Sequence, residues 1–116
     1  MGRPLNQLVT FSVKPERRAD FLAALADVLA HARREPANTY LHTTESAEEP
    51  GRFVFFEKWR DRDEFVNVIQ QRPYFRRYVA TTQSMLVGRP VTTVLHRVPE
   101  PGLPWSGHPN PCVLGC

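Results

Sequence analysis

The 116-residue chain holds only two cysteines, Cys112 and Cys116, both in its last five positions. A disulfide-stapled scaffold needs cysteines spread through the fold, so that architecture is excluded. A lone Cys-x-x-x-Cys pair supplies at most two of the four ligands a structural zinc takes, and it reads as free thiols on a tail. Long hydrophobic runs are lacking as well. No apolar stretch approaches the ~20 residues of a membrane-spanning helix. The start, MGRPLNQLVTFSVK, has no charged segment followed by the apolar run of a signal peptide. The expectation is a cytoplasmic protein with no membrane partner. Lysine is scarce: thirteen of the fifteen basic residues are Arg, scattered among twelve acidic residues for a net charge of +3. No basic block stands out, so the electrostatic footprint of a nucleic-acid binder is absent.

What is present is a core-forming composition. Hydrophobic residues make up 41% of the chain, enough for one domain. A chain this short buries only roughly two-thirds of its unfolded surface, which favours oligomerisation.

Periodicity sets out the elements. Residues 7–14, QLVTFSVK, alternate as a strand with Val9, Phe11 and Val13 on one face. After Pro15, Glu16 to Arg34 read as a helix with an apolar stripe of Phe21, Leu25, Val28, Leu29 and Ala32. Glu35-Pro36 ends it, because a residue before proline disfavours helical dihedrals. Thr39 to Thr44 and RFVFFEKW, residues 52–59, are two strands joined by the polar turn ESAEEPG, hence a hairpin. Asp61 to Glu64 form a capping box that opens a helix carrying Phe65, Val68 and Ile69. Pro73 interrupts it, and Tyr74 to Leu86 continue with Phe75, Tyr78, Val79 and Thr82 inward. Gly88 ends that piece, and PVTTVLHRV, residues 90–98, is the fourth strand.

The order β-α-β-β-α-β predicts an α+β, ferredoxin-like fold: a four-stranded antiparallel sheet with helices on one face. In the third strand Val54 and Phe56 oppose Phe53 and Phe55, so both faces are apolar. A second copy packed sheet to sheet is the expected cover, making a homodimer. The domain spans residues 1–98. From Pro99 on, five of the eleven prolines appear without periodicity, and residues 99–116, with Trp105, read as a tail.

In this order and spacing, Lys14-Pro15, Glu35-Pro36, Tyr40 with His42 close behind, and Glu57-Lys58-Trp59 resemble the antibiotic biosynthesis monooxygenase domains. The resemblance covers about residues 7–98. It implies a dimeric α+β barrel with a cavity between helices and sheet in each subunit. It also implies oxygenation of an aromatic polyketide, anthrone or quinol to a quinone without metal, flavin or other cofactor. Two departures stand beside it. Quinol-oxidising members place a His about where Val68 falls. The haem-degrading branch wants Asn, Trp and His where this chain has Leu8, Val68 and Tyr78 or Val79, with Asn6 two residues off; the resemblance points away from haem degradation.

Such chemistry needs a base, donors for an oxyanion and a dry pocket. The candidate catalytic residues are His42, as a base titrating near neutrality, and Trp59, as an aromatic wall offering its indole N–H. Tyr40, Phe55, Glu57, Tyr74 and Tyr78 are the candidate substrate-binding residues for a small aromatic ligand. His96 is a second choice of base, and His31 and His108 are expected in solvent. Two other readings stay open: a non-catalytic dimeric ligand-binding module, and a polyketide cyclase or decarboxylase using the same cavity.

Overall fold

Strand β1 runs from Leu5 to Ser12 in the computed structural model, which describes residues 3–99. The tail from residue 100 on, with Trp105, His108, Cys112 and Cys116, lies outside the described residues. The chain continues through helix α1 (Arg18–Ala32), strands β2 (Asn38–Glu45) and β3 (Arg52–Trp59), helices α2 (Arg62–Asn67) and α3 (Pro73–Thr82), and strand β4 (Val91–Leu95). The strands form one antiparallel sheet in the order β2-β3-β1-β4, the ferredoxin-like arrangement.

Two strands differ from expectation by two residues or more at an end. β1 starts at Leu5 and ends at Ser12, two residues earlier than the alternation suggested. Val13 leaves the ladder because its N–H bonds Gly51 O at 2.8 Å and it bridges only Leu86. β4 is shorter than 90–98, since its only neighbour offers partners from Asn6, opposite Leu95, to Thr10, opposite Val91. Gly51 itself needs to be glycine. Its φ is 93°, and a Cβ there would lie 3.0 Å from the carbonyl oxygen of Val13.

The caps follow the sequence closely. Asp61 is extended, and its Oδ2 accepts from Glu64 N at 2.8 Å, the first half of a capping box. The reciprocal half is absent, because Arg60 holds the Glu64 carboxylate through bonds of 2.7 and 2.8 Å. Arg72 takes an extended ψ of 141° before Pro73, so the helical segment divides there and Pro73 becomes the first residue of α3. Between α2 and α3 a 3₁₀ turn at Ile69–Gln71 resets the phase. Val68, expected inward, is the C-cap of α2 and is 43% exposed, while Ile69 is fully buried.

The helices sit on one face of the sheet. That inner face presents Leu5, Gln7 and Phe11 of β1 and Phe53, Phe55 and Trp59 of β3, all buried. Phe11, Phe21, Phe53 and Phe55 meet at centroid distances of 5.0–6.5 Å in tilted, edge-on and stacked pairs. A second cluster joins Trp59 to Phe65 and Ile69 beneath α2. The outer face carries Leu8, Val54, Phe56, Tyr40 and His42, and none of them belongs to either buried cluster.

Candidate functional site

Between the inner sheet face and the helices lies a cavity of about 790 Å³, walled mostly by apolar side chains. Strand geometry builds its polar centre. Gln7 of β1 stands directly opposite Glu57 of β3 in the register, and Trp59 follows Glu57 by two residues on the same face. The Gln7 amide Nε2 and the indole Nε1 of Trp59 both donate to the same oxygen, Glu57 Oε1, each at 3.0 Å. Glu57 Oε2 has no hydrogen bond among the described residues. Among the described residues Glu57 is also the sole carboxylate lining the cavity.

Across from it α3 contributes Tyr78. Burial first, and then the negative charge of Glu57, push its phenol well above the ordinary value near 10.0, so it stays a neutral hydroxyl. That hydroxyl makes no hydrogen bond among the described residues. Arg62, at the start of α2, and Arg89, just before β4, are exposed guanidinium groups at the cavity's edge.

Of the residues singled out from sequence, Phe55, Glu57, Trp59 and Tyr78 line this cavity together. The others are elsewhere. His42 is exposed and pairs with Phe56 across β2 and β3, on the sheet face away from the helices. Tyr40 shares that outer face, its ring 6.1 Å from His42 and 5.4 Å from Phe56. Tyr40 and His42 alternate onto one face of β2, and the hairpin register aligns them with the outward residues of β3. His42 is therefore not among the residues that line this cavity, and Glu57 is.

Tyr74 also misses the cavity. Its hydroxyl donates to Glu35 Oε2 at 2.7 Å, and its ring stacks on His31 at 4.7 Å. Burial and the Glu35 carboxylate hold its phenol protonated. His31, expected in solvent, is half-buried by that stack. His96 lies beyond the end of β4 and is exposed. Trp59 lines the cavity, and its N–H is engaged by Glu57. Val68 does not line the cavity; Val66 and Gln70 do.

Gln7 is a buried polar residue of the cavity that the sequence did not single out. The signal was there: it stands in phase with Val9, Phe11 and Val13, which places a polar amide on a buried face. Such a group needs a partner, and Glu57 is that partner.

Among the described residues no three His, Cys, Asp or Glu gather closely enough to hold a metal ion, and no helix is long and apolar enough to cross a membrane. The family described as "Antibiotic biosynthesis monooxygenase" matches residues 4–81. A Bacillus subtilis protein named "Putative monooxygenase YcnE" is 31% identical over 74 residues, 64% of this chain and 77% of the relative. Among solved structures, a Nitrosomonas europaea protein described as a "Putative antibiotic biosynthesis monooxygenase" superposes with a TM-score of 0.76 at 20% identity, covering 84% of this chain and 93% of its own. Rv0793 from Mycobacterium tuberculosis gives a TM-score of 0.75 at 24% identity, over 85% of this chain and 99% of its own. These structural likenesses show a shared fold.

Proposed function

The chain belongs to the antibiotic biosynthesis monooxygenase family, and from that premise we propose that it oxidises an electron-rich aromatic, an anthrone, naphthol or quinol, to a quinone inside the inner cavity. The observation that carries this reading is the single carboxylate, Glu57, set in an otherwise largely apolar chamber with one oxygen uncommitted.

The chemistry asks little of the protein. For an anthrone, Glu57 Oε2 removes a proton from the ring CH2, leaving an electron-rich anion. That anion passes one electron to O2, and the resulting carbon radical and superoxide combine to a peroxide anion. Glu57 returns its proton to the peroxide. It then takes the second proton from the same carbon as the O–O bond breaks, and hydroxide leaves with that proton as water. The balance is CH2 + O2 → C=O + H2O. Tyr78, kept neutral by its surroundings, donates to the developing oxyanion on the ring. The apolar walls shield the radical pair from water. Two such subunits pack through their outer sheet faces in this reading, which covers Phe56, Tyr40 and Leu8.

Oxygen uptake with a panel of anthrones, naphthols and quinols tests the proposal. Glu57→Gln keeps the shape and removes the base, so kcat should fall by roughly 10²–10⁴-fold. Uptake at the wild-type rate in that variant would overturn the assignment. Tight binding of these aromatics without any uptake by wild type would replace it with the ligand-binding reading.

A further inference from the structure

We propose that Gln7 is a specificity-determining positioning residue: with Trp59 it ties down one oxygen of Glu57 and leaves the other as the acceptor for a ring hydroxyl in the cavity. This rests on the reading of the cavity as an aromatic-binding chamber, but it does not depend on oxygenation.

The geometry supports it in three ways. First, Gln7 is only 6% exposed, on a face of β1 whose other members, Leu5, Val9 and Phe11, are apolar, so its amide would be costly there without a partner. Second, two donors from two strands converge on the same atom. Gln7 Nε2 arrives from β1 and Trp59 Nε1 from β3, both at 3.0 Å from Oε1. Two bonds from different directions fix the carboxylate plane, which a single bond would leave free to turn about its axis. Third, the charged and titratable groups around the cavity do not compete for the remaining oxygen. Tyr78 approaches from α3 as a neutral hydroxyl, while Arg62 and Arg89 are exposed at the rim, and no hydrogen bond joins any of the three to Glu57.

The consequence is selectivity rather than general affinity. An aromatic ring gains its contact with the walls whether or not it carries a hydroxyl. Only a hydroxylated ring gains the charge-assisted bond to Oε2, and only while that oxygen is held toward the ring. Gln7 is the residue that holds it, and Trp59 cannot do so alone.

The test is binding of 2-naphthol and of naphthalene, which lacks the hydroxyl, to the full chain at neutral pH without oxygen, followed by tryptophan fluorescence. Wild type should prefer 2-naphthol by roughly tenfold or more, the scale of a hydrogen bond to a charged acceptor. Gln7→Met should collapse that preference, weakening 2-naphthol far more than naphthalene. In a Glu57→Gln background the same substitution should add nothing further to the loss. Gln7→Asn, which keeps an amide but falls short of Glu57, should behave like Gln7→Met and serves if the latter fails to fold. A preference undiminished in the folded variants, or equal weakening of both ligands, would overturn the role of Gln7. No preference in wild type would overturn it too. A preference that depends on Gln7, with no oxygen uptake on any substrate, would sink the oxygenase reading and leave this one standing.

Discussion

Trp59 and Glu57, two residues apart on the inner face of β3, are joined by a 3.0 Å bond from the indole Nε1 to the carboxylate Oε1. The same indole lies 4.6 Å from the Phe65 ring and is 2% exposed. One side chain therefore braces α2 against the sheet and orients the acid of the cavity. The two jobs separate on substitution. Trp59→Phe keeps most of the packing and loses the bond, which should cost about 1.5–3 kcal/mol for a charged acceptor. Trp59→Ala also opens a cavity and should cost about 3–5 kcal/mol. Urea unfolding measures both; a Phe variant as stable as wild type would show that the bond contributes nothing net.

His42 is exposed on the far side of the sheet from Glu57. His42→Ala should therefore leave kcat for ring oxidation at its wild-type value. Steady-state oxygen uptake decides this, and a fall of about tenfold or more would restore His42 to the chemistry.

The outer sheet face holds Phe56 with Leu8 opposite it on β1 and His42 opposite it on β2. A second copy covering this face should give a light-scattering mass of about twice 13.3 kDa at micromolar concentration. Phe56→Glu, which puts a charge at the centre of that face, should shift the mass to the monomer. A wild-type monomer would remove the dimer from the proposal.

Acid should loosen the join between α1 and the hairpin. Arg18 grips both oxygens of Glu45, at 2.6 and 3.1 Å, and Gly51 N donates to Oε2 at 2.8 Å. The Arg18 bond first, and the Gly51 N–H second, hold the Glu45 carboxyl at about 2 instead of its ordinary 4.5. A folded-state value below the unfolded one contributes stability that is complete above the unfolded value and is lost as pH falls toward the folded one. That window runs from about 4.5 down to about 2. Glu45→Gln should show a shallower decline in stability across it, measured as the urea midpoint at about pH 5 and about pH 3. Parallel declines in both proteins would contradict this.

Much of this architecture is local and was legible in the chain. Proline and glycine positions, the Asp61 cap and the 2- and 3.6-residue periods depend on near neighbours, so the element order and the sheet-facing stripe of Phe21, Leu25 and Val28 on α1 could be read directly. The inward set of β3 was equally readable, and it already put Glu57 and Trp59 on one face with Phe55. Alternation, however, divides a strand into two faces without saying which face of its neighbour each one meets. For β2 that choice rests on the pairing of His42 with Phe56, a relation between residues fourteen positions apart. Only the assembled sheet turned His42 and Tyr40 away from the helices. The Gln7–Glu57 bond, between residues 50 positions apart, has the same origin. Val68 shows the complementary limit: it ends α2 as the C-cap, with φ of −119°, just before a 3₁₀ turn, and no periodic reading of the segment anticipates that the helix stops there. The residue types for a cavity with one acid were determined by the sequence alone. Which side chains meet in it was decided by strand register, because register is set by the packing of whole faces against each other and a change of one residue inverts them all.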